Sequence, residues 1–206
     1  TLCELGYLSH GGRNDRFRLG PSAIALGSVA SVAVNFLDLA SDAMQQLADD
    51  TGTLALVAVR DDSKMLLVRT WRPRNASTIW LEPGHRIPVF GSSSGMAVVA
   101  SLGEERFGQL TPEKDMREFR SEGYSQLIGQ GFTYAPKGTR YASTINAVSV
   151  PYFAEEFGEP VAFTCGAMPS DLSDERIRDE VGPALRELVR ALEQRTGRTP
   201  ALSRRD

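Results

Sequence analysis

The chain has 206 residues, of which 41% are hydrophobic and 24% charged, so intrinsic disorder is excluded as a description of the whole chain. The formal net charge of −3 excludes a polycation that coats nucleic acid. The apolar runs are far shorter than the roughly 18 residues that a membrane span needs, and no signal peptide is visible. We therefore expect a cytoplasmic protein without a membrane partner.

Cysteine and histidine are rare in the chain. The two cysteines are Cys3 and Cys165, and the two histidines are His10 and His85. Neither a C-x-x-C nor an H-x-x-x-H spacing occurs, so we expect no zinc site and no cofactor. A disulfide would need an oxidising compartment, and the expectation is two free thiols, with Cys165 buried in a strand.

The first twenty residues predict the end of a helix followed by a β-hairpin. Thr1–Leu5 has helical character that stops at Gly6, and Phe17 and Leu19 then alternate with arginines, as in a half-buried strand. Twenty residues cannot form a core, and the first residue is not Met, so we interpret this segment as the tail of a larger unit. The hairpin arginines form either a solvated charged face or a phosphate clamp. They are Arg13, Arg16 and Arg18.

The rest of the chain predicts helices and paired strands. Helices are expected at 22–34 and from Phe36 to about residue 50. Further elements are strands at 53–60, 64–71 and 78–81, helices at 96–102 and 111–130, strands at 143–153 and 161–167, and a last helix from Ser173 with a break at Gly182-Pro183. Paired strands separated by helices predict an α+β fold with an antiparallel or mixed sheet.

The segment Gly91-Ser92-Ser93-Ser94-Gly95 has two interpretations. It matches the G-x-S-x-G turn that exposes a nucleophilic serine, here Ser93, which would make the protein a serine hydrolase. That chemistry needs a base, and no histidine follows residue 85, which leaves only Lys114 or Lys137. Alternatively, the segment is a serine-capped helix start, whose free N–H groups bind carboxylates or phosphates.

Cations and aromatic rings gather in two predicted loop regions, where they form either an anion or aromatic pocket or a set of surface cations over exposed rings. They are Arg69, Arg72, Arg74, Lys137 and Arg140, with Trp71, Trp80, Tyr134 and Tyr141.

Four segments, in order, resemble the IclR-type bacterial transcription regulators. The opening TLCELGYLSHGGRNDRFRLGPSAIALG resembles the end of the family's winged helix-turn-helix and the start of its linker helix. The segments 84–97 and 146–153 match the glycine/proline and N-A-x-x-x-P-x-F patterns of the family's C-terminal domain. The tail from Leu172 to Arg186 matches its L-T-x-E-R and G-P-A-L-R patterns.

This resemblance implies a GAF-like effector-binding domain with a six-stranded curved antiparallel sheet and flanking helices. It implies a remnant of the DNA-binding domain at 1–20, a linker helix at 21–35, the effector domain at 36–197 and a flexible tail at 198–206. It also implies a homodimer or tetramer and an operator DNA that only the complete N-terminal domain would bind. The hairpin arginines Arg13, Arg16 and Arg18 would lie near the DNA backbone.

The resemblance also implies a set of effector-binding residues. They are Ser93, Ser94 and Gly95 at the helix start, Lys137 and Ala147 where the binders of small acids have Asp and Cys, and Thr164 and Gly166 where they have two serines. Because Asp, Cys and at least one Ser are missing, glyoxylate- or pyruvate-like ligands are disfavoured. The pocket favours a larger or more apolar effector, such as an aromatic acid.

Three functions follow from these observations. The first is a ligand-responsive transcription regulator without catalysis, in which the effector acts through the linker helix and the oligomer. The second is a serine hydrolase that uses Ser93. The third is a sensor domain whose hairpin contacts protein and not DNA.

Overall fold

The computed structural model describes residues 1–11, 16–110 and 112–204, which form two compact units, Thr1–Asp38 and Leu39–Asp206. In the first unit, β1 (Leu8–Gly11) and β2 (Arg16–Leu19) pair antiparallel, which confirms the predicted hairpin. The helix α1 (Pro21–Ala33) follows and carries no charged residue. Thr1–Leu5 was predicted to be helical, but it forms turns, in which the Leu5 N–H donates to the Thr1 carbonyl.

The helix α2 (Asn35–Thr51) continues the chain into the second unit. Among the described residues, no single helix has the length and apolar composition needed to cross a membrane. One pair, Pro21–Ala30 with Asn35–Thr51, meets those two criteria jointly but is bent by 87° at its break.

The second unit contains the remaining elements. They are β3 (Leu54–Asp61), β4 (Lys64–Trp71), β5 (Arg86–Pro88), α3 (Ser93–Ser101), α4 (Glu104–Gly108), α5 (Lys114–Gln130), β6 (Asn146–Ala154), β7 (Glu159–Ala167), α6 (Asp174–Arg176), a π-helical turn (Ile177–Val181), α7 (Gly182–Thr196) and a 3₁₀ turn (Ala201–Arg204).

The sheet of this unit is antiparallel throughout, with the strand order β5-β4-β3-β7-β6. The expectation of a six-stranded sheet is wrong for the described residues, among which this sheet has five strands. Beyond the β6 edge, the sixth position holds only an isolated antiparallel bridge between Thr133 and Ser149. A single bridge forms because the segment before it ends α5 at the left-handed Gly131 and leaves little length for pairing.

Both faces of the sheet are covered, as the long apolar strands predict. On one face, Leu56 and Ala162 pack with α3, against which α5 lies. On the other face, the Trp71 indole donates to Ser41 of α2 at 3.0 Å, and the Tyr152 hydroxyl lies 3.0 Å from Thr196 of α7. The domain is therefore an α+β layered structure with the sheet in the middle.

Three local predictions differ from the structure. Thr78–Leu81 was predicted as a strand, but it has no ladder partner and is irregular. The helix α5 begins at Lys114, with Glu113 at the N-cap position, and not at the predicted Thr111, which lies outside the described residues. The short helix α4 was not predicted, because glycines close both of its ends and hide its pattern.

The C-terminal helix also differs from expectation. The predicted break at Gly182-Pro183 is a π-helical turn immediately before Gly182, and the chain continues as a helix. A π turn opens the hydrogen-bond ladder at this point without ending the helix. The predicted flexible tail contains the 3₁₀ turn, in which Ala201 is buried.

Candidate functional site

A small cavity of about 40 Å³ lies between the sheet and the first turn of α3. Its floor comes from β3, β6 and β7, and its cover comes from two irregular segments, 78–82 and 135–145, which we call the two cover segments. Ile79 and Leu81 of the first cover segment turn toward the cavity, whereas Trp80 between them is exposed and stacks on the Arg72 guanidinium at 3.2 Å. The lining is largely apolar.

The first turn of α3 supplies main-chain donors to this cavity. Ser92 is the N-cap residue, and its hydroxyl accepts from the Gly95 N–H at 3.0 Å. The amides of Ser93 and Ser94 have no hydrogen-bond partner among the described residues. Both residues are buried and line the cavity. Unpaired amides at a helix N-terminus are suited to an anionic or carbonyl oxygen.

A chain of three hydroxyls runs from the sheet to the same turn. The Ser149 hydroxyl donates to the Ser93 hydroxyl at 2.9 Å and lies 2.8 Å from the Thr164 hydroxyl. Since Ser149 has one proton and gives it to Ser93, Thr164 donates to Ser149. The Ser93 proton is then left for a group in the cavity.

The second cover segment is held by an ionic cluster of Arg140, Asn146, Asp174 and Lys137, which we call the Arg140 cluster. The Arg140 Nε donates to the Ala135 carbonyl at 2.8 Å, and its two terminal nitrogens donate to Asn146 and to Asp174. The Lys137 ammonium lies 3.3 Å from the other Asp174 oxygen. The Arg140 hydrogen bond, with help from Lys137, holds the pKa of the Asp174 carboxyl below its ordinary value.

The structure brings most of the predicted effector residues together. Those that line the cavity are Ser93, Ser94, Ala147, Thr164 and Gly166. Gly95 does not line it, because this residue packs against the Val89 carbonyl, where an added Cβ would come within 2.0 Å of the oxygen.

Lys137 also lies outside the cavity lining. Its side chain is 79% exposed and faces Asp174. The cation that reaches the cavity from the same segment is Arg140, together with the Tyr141 ring. Of the cations and rings predicted to gather, these two line the site. Sequence reasoning missed Ile79, Leu81 and the buried Ser149, and only the alternation around Trp80 hints at the first two.

Cys165 lies on the opposite side of the sheet from the cavity. It is buried and free, as expected, and burial raises the pKa of its thiol to about 12. A thiol with that pKa stays protonated and is a packing group. Among the described residues, no group of three or more His, Cys, Asp and Glu side chains could hold a metal ion.

In the first unit, Arg16 and Arg18 are exposed and lie two residues apart on β2, so they share one face of the hairpin. Arg13 lies outside the described residues.

The geometry bears on Ser93 as a nucleophile. The Ser93 hydroxyl accepts from the Ser149 hydroxyl. The described lining of the cavity includes no histidine, lysine or carboxylate that could take a proton from it. Arg140 stays protonated and cannot act as a base. The base that a nucleophilic serine requires is not supplied at this position.

Comparison with known proteins gives three concordant results. The family model for the C-terminal domain of the bacterial transcriptional regulator IclR matches residues 29–126. The HTH-type transcriptional regulator XynR of Escherichia coli K12 is 23% identical over 205 residues, covering 93% of this chain and 81% of XynR.

Solved structures agree with this result. An IclR family transcriptional regulator from Brucella abortus has a TM-score of 0.74 at 23% identity, over 94% of this chain and 76% of that one. An IclR homolog from Microbacterium hydrocarbonoxydans, complexed with 4-hydroxybenzoate, has a TM-score of 0.69 at 19% identity, over 92% of this chain and 82% of that one.

The antiparallel sheet with helices on both faces has the GAF-like α+β fold of these solved structures. Residues 29–126 match the C-terminal domain of the bacterial transcriptional regulator IclR, and most of the chain is similar to transcription regulators of that type.

Proposed function

We propose that the chain is a ligand-responsive regulator whose cavity binds a small organic acid with an aromatic ring. One observation carries the proposal: Ser93 and Ser94, whose amides are unpaired among the described residues, line a largely apolar cavity. An acid group accepts from these amides and from the Ser93 hydroxyl, while a ring contacts Ile79, Leu81 and Ala147. That the Microbacterium relative was crystallised with 4-hydroxybenzoate supports this ligand class.

The ligand enters only if the cover segments move outward. A cavity of about 40 Å³ holds a few waters. A benzene-sized ligand, by comparison, occupies a cavity of roughly 150 Å³. Both cover segments lack regular secondary structure, so their displacement breaks few ladder hydrogen bonds. We propose that this displacement is how ligand binding changes the shape of the domain.

The response reaches DNA through the first unit. We propose that 1–20 belongs to a winged helix-turn-helix, that 21–35 is the linker helix, and that 36–197 is the effector domain. Arg13, Arg16 and Arg18 contact the DNA backbone once the DNA-binding domain is complete. We propose that the regulator acts as a homodimer or tetramer, in which the effector shifts the population of the arrangement that fits the operator. The place of action is the cytoplasm.

Thermal-shift and calorimetric titrations with 4-hydroxybenzoate, benzoate, pyruvate and glyoxylate test the proposal. At a hundredfold excess over the Kd, a ligand that binds only the folded state adds about 2.7 kcal/mol of stability. We expect the aromatic acids to raise the Tm and the two small acids to leave it unchanged.

A cavity-filling variant locates the site. A Cβ at Gly166 makes only ordinary contacts, 3.5 Å from Ala147 and Ile79. Gly166→Val therefore fills the cavity, and we expect it to fold but to lose the response to aromatic acids. Gly129→Ala is the matched control, since its Cβ meets nothing within 4 Å. Stabilisation by pyruvate and glyoxylate alone, or equal stabilisation of wild type and Gly166→Val, contradicts the proposal.

A further inference from the structure

The cation nearest to the proposed ligand is already occupied. The Arg140 side chain is only 9% exposed, and all three of its nitrogens donate to protein acceptors. A carboxylate that enters the cavity therefore meets a guanidinium whose charge is neutralised by Asp174. An anion gains from this arginine only by replacing one of its present partners.

Of the three partners of Arg140 only Asp174 is charged, and its charge stays compensated when Arg140 leaves it. Asp174 has a second cation, because Lys137 lies 3.3 Å from its other oxygen. The Asn146 amide, by contrast, is buried and is fixed by donation to the Leu172 carbonyl at 2.8 Å. If Arg140 turns from Asp174 to a ligand, Lys137 still neutralises Asp174, and Asn146 keeps its place.

The exchange also connects the cavity to the C-terminal helix. Asp174 is the first residue of α6, directly after its N-cap Ser173. The second cover segment is tied at one point to the α3 turn, where the Tyr141 N–H donates to the Gly91 carbonyl at 3.1 Å. Arg140 supplies the tie to α6 from the adjacent position in the chain. Outward movement of this segment for a ligand larger than the present cavity must therefore change the Arg140–Asp174 contact.

From these contacts we infer that Arg140 exchanges Asp174 for the carboxylate of the ligand, with Lys137 as the residue that compensates Asp174. This inference rests on the proposed function, and it assigns the ligand's counter-ion and a positioning role for Lys137. The amides of Ser93 and Ser94 orient the carboxylate, and Arg140 supplies the opposite charge. Selectivity for an acid over its neutral analogue then depends on Arg140.

Calorimetric titration with 4-hydroxybenzoate and with the neutral 4-hydroxybenzamide tests the exchange. In Asp174→Asn, Arg140 does not have to give up an ionic partner when it turns to the ligand. We therefore expect the acid to bind roughly tenfold tighter, which corresponds to the free energy of about one charged hydrogen bond. The amide should bind as it does to the wild type. Glu175→Gln is the matched control, since it removes the same charge one residue away on an exposed side chain and should leave both affinities unchanged.

Lys137 provides the sharpest discrimination. Under the exchange, Lys137→Met leaves Asp174 uncompensated when Arg140 turns away, so the acid binds more weakly in this variant. The same substitution in an Asp174→Asn background should have no effect on acid binding. A lysine in direct contact with the ligand would instead weaken acid binding in both backgrounds. Arg140→Met, if it folds, should bind acid and amide equally.

The outcomes separate this inference from the proposed function. If the wild type binds neither compound, the aromatic-acid site is wrong and the exchange fails with it. If the wild type binds the acid but Asp174→Asn leaves its affinity equal or weaker, the exchange alone is wrong. An equal gain in Asp174→Asn and Glu175→Gln also overturns it, because the effect is then one of general charge.

Discussion

The first turn of α3 lines the cavity, and the Arg140 cluster reaches it through Arg140; these two polar regions differ in how completely their donors are used. In the first turn, the amides of Ser93 and Ser94 are unpaired among the described residues, and the Ser93 hydroxyl accepts a hydrogen bond but donates none there. In the cluster, each nitrogen of Arg140 has an acceptor and Asp174 has two cations. Under the proposed function, the cavity combines donors that are open to a ligand with a charge that must first change partners.

The largest expected effect comes from breaking the saturated region. Asn146→Ala removes the acceptor of an Arg140 nitrogen and the donor to the Leu172 carbonyl. Since buried groups left without partners are costly, we expect a loss of about 2–3 kcal/mol in the free energy of unfolding. Urea denaturation measures it. Thr144→Ala, an exposed residue two positions earlier, is the control and should change stability little. Equal effects of the two substitutions would contradict a structural cluster.

A smaller effect is expected in the hydroxyl chain. Ser149→Ala removes the middle member and leaves the Thr164 hydroxyl without its acceptor, so unfolding should cost about 1–2 kcal/mol less. Ser93→Ala should cost less than Ser149→Ala, because Ser149 can still donate to Thr164, yet it should weaken the binding of 4-hydroxybenzoate. Chemical denaturation and calorimetry measure both variants. A larger stability loss for Ser93→Ala would place Ser93 among the structural groups.

The smallest expected effect on stability concerns the buried carboxyl of Glu193 on α7. Burial raises its pKa from 4.5 to about 7, against the opposing influence of Arg190 and the Ala201 N–H. Because the folded state holds this proton more tightly than the unfolded state, stability falls as the pH rises from about 4.5 to 7. The Glu193→Gln variant does not titrate at this position, so it does not lose this stability as the pH rises.

Thermal melts at pH 5 and pH 8 measure the Glu193 contribution. We expect the Tm of Glu193→Gln to exceed that of the wild type at pH 8 by roughly 3 °C, and the difference to shrink at pH 5. Asp174→Asn is the opposing control. The pKa of Asp174 is lowered from 3.8, so its contribution to stability is present at both pH 5 and pH 8, and Asp174→Asn should lower the Tm by the same amount at both. If the Tm difference from the wild type changed with pH in the same way in both variants, the contrast between the paired Asp174 and the desolvated Glu193 would be wrong.

Local chemistry made much of the fold predictable. The β3–β4 hairpin follows from two apolar runs around an acidic turn, in which Asp62 takes the left-handed conformation. The segment Thr78–Leu81 shows the limit of this reasoning. Its alternation is compatible with the inward-facing Ile79 and Leu81, which were not predicted, but alternation does not specify a hydrogen-bonded partner strand, and none forms among the described residues.

The candidate site divides in the same way. The serine-rich start of α3 was predictable, because capping depends on neighbours three residues apart. The function of Arg140 was not predictable from local pattern, since its partner Asp174 lies 34 residues away and is brought near only by the tertiary fold. The resemblance predicts Lys137 in the cavity. In the structure, the cation that reaches the cavity is Arg140, three residues further along the chain.

The π-helical turn at Ile177–Val181 sets the rotational phase of α7. It contains one residue more than a regular helical turn, and one residue corresponds to about 100° of rotation. Shortening the turn by one residue would make the helix regular but would swing Leu185 and Val189 away from the sheet, where both are now buried. The length of this turn is therefore a mechanical constraint on the chain, and insertions or deletions here are far less tolerable than the exposed side chains of Arg178 and Asp179 suggest.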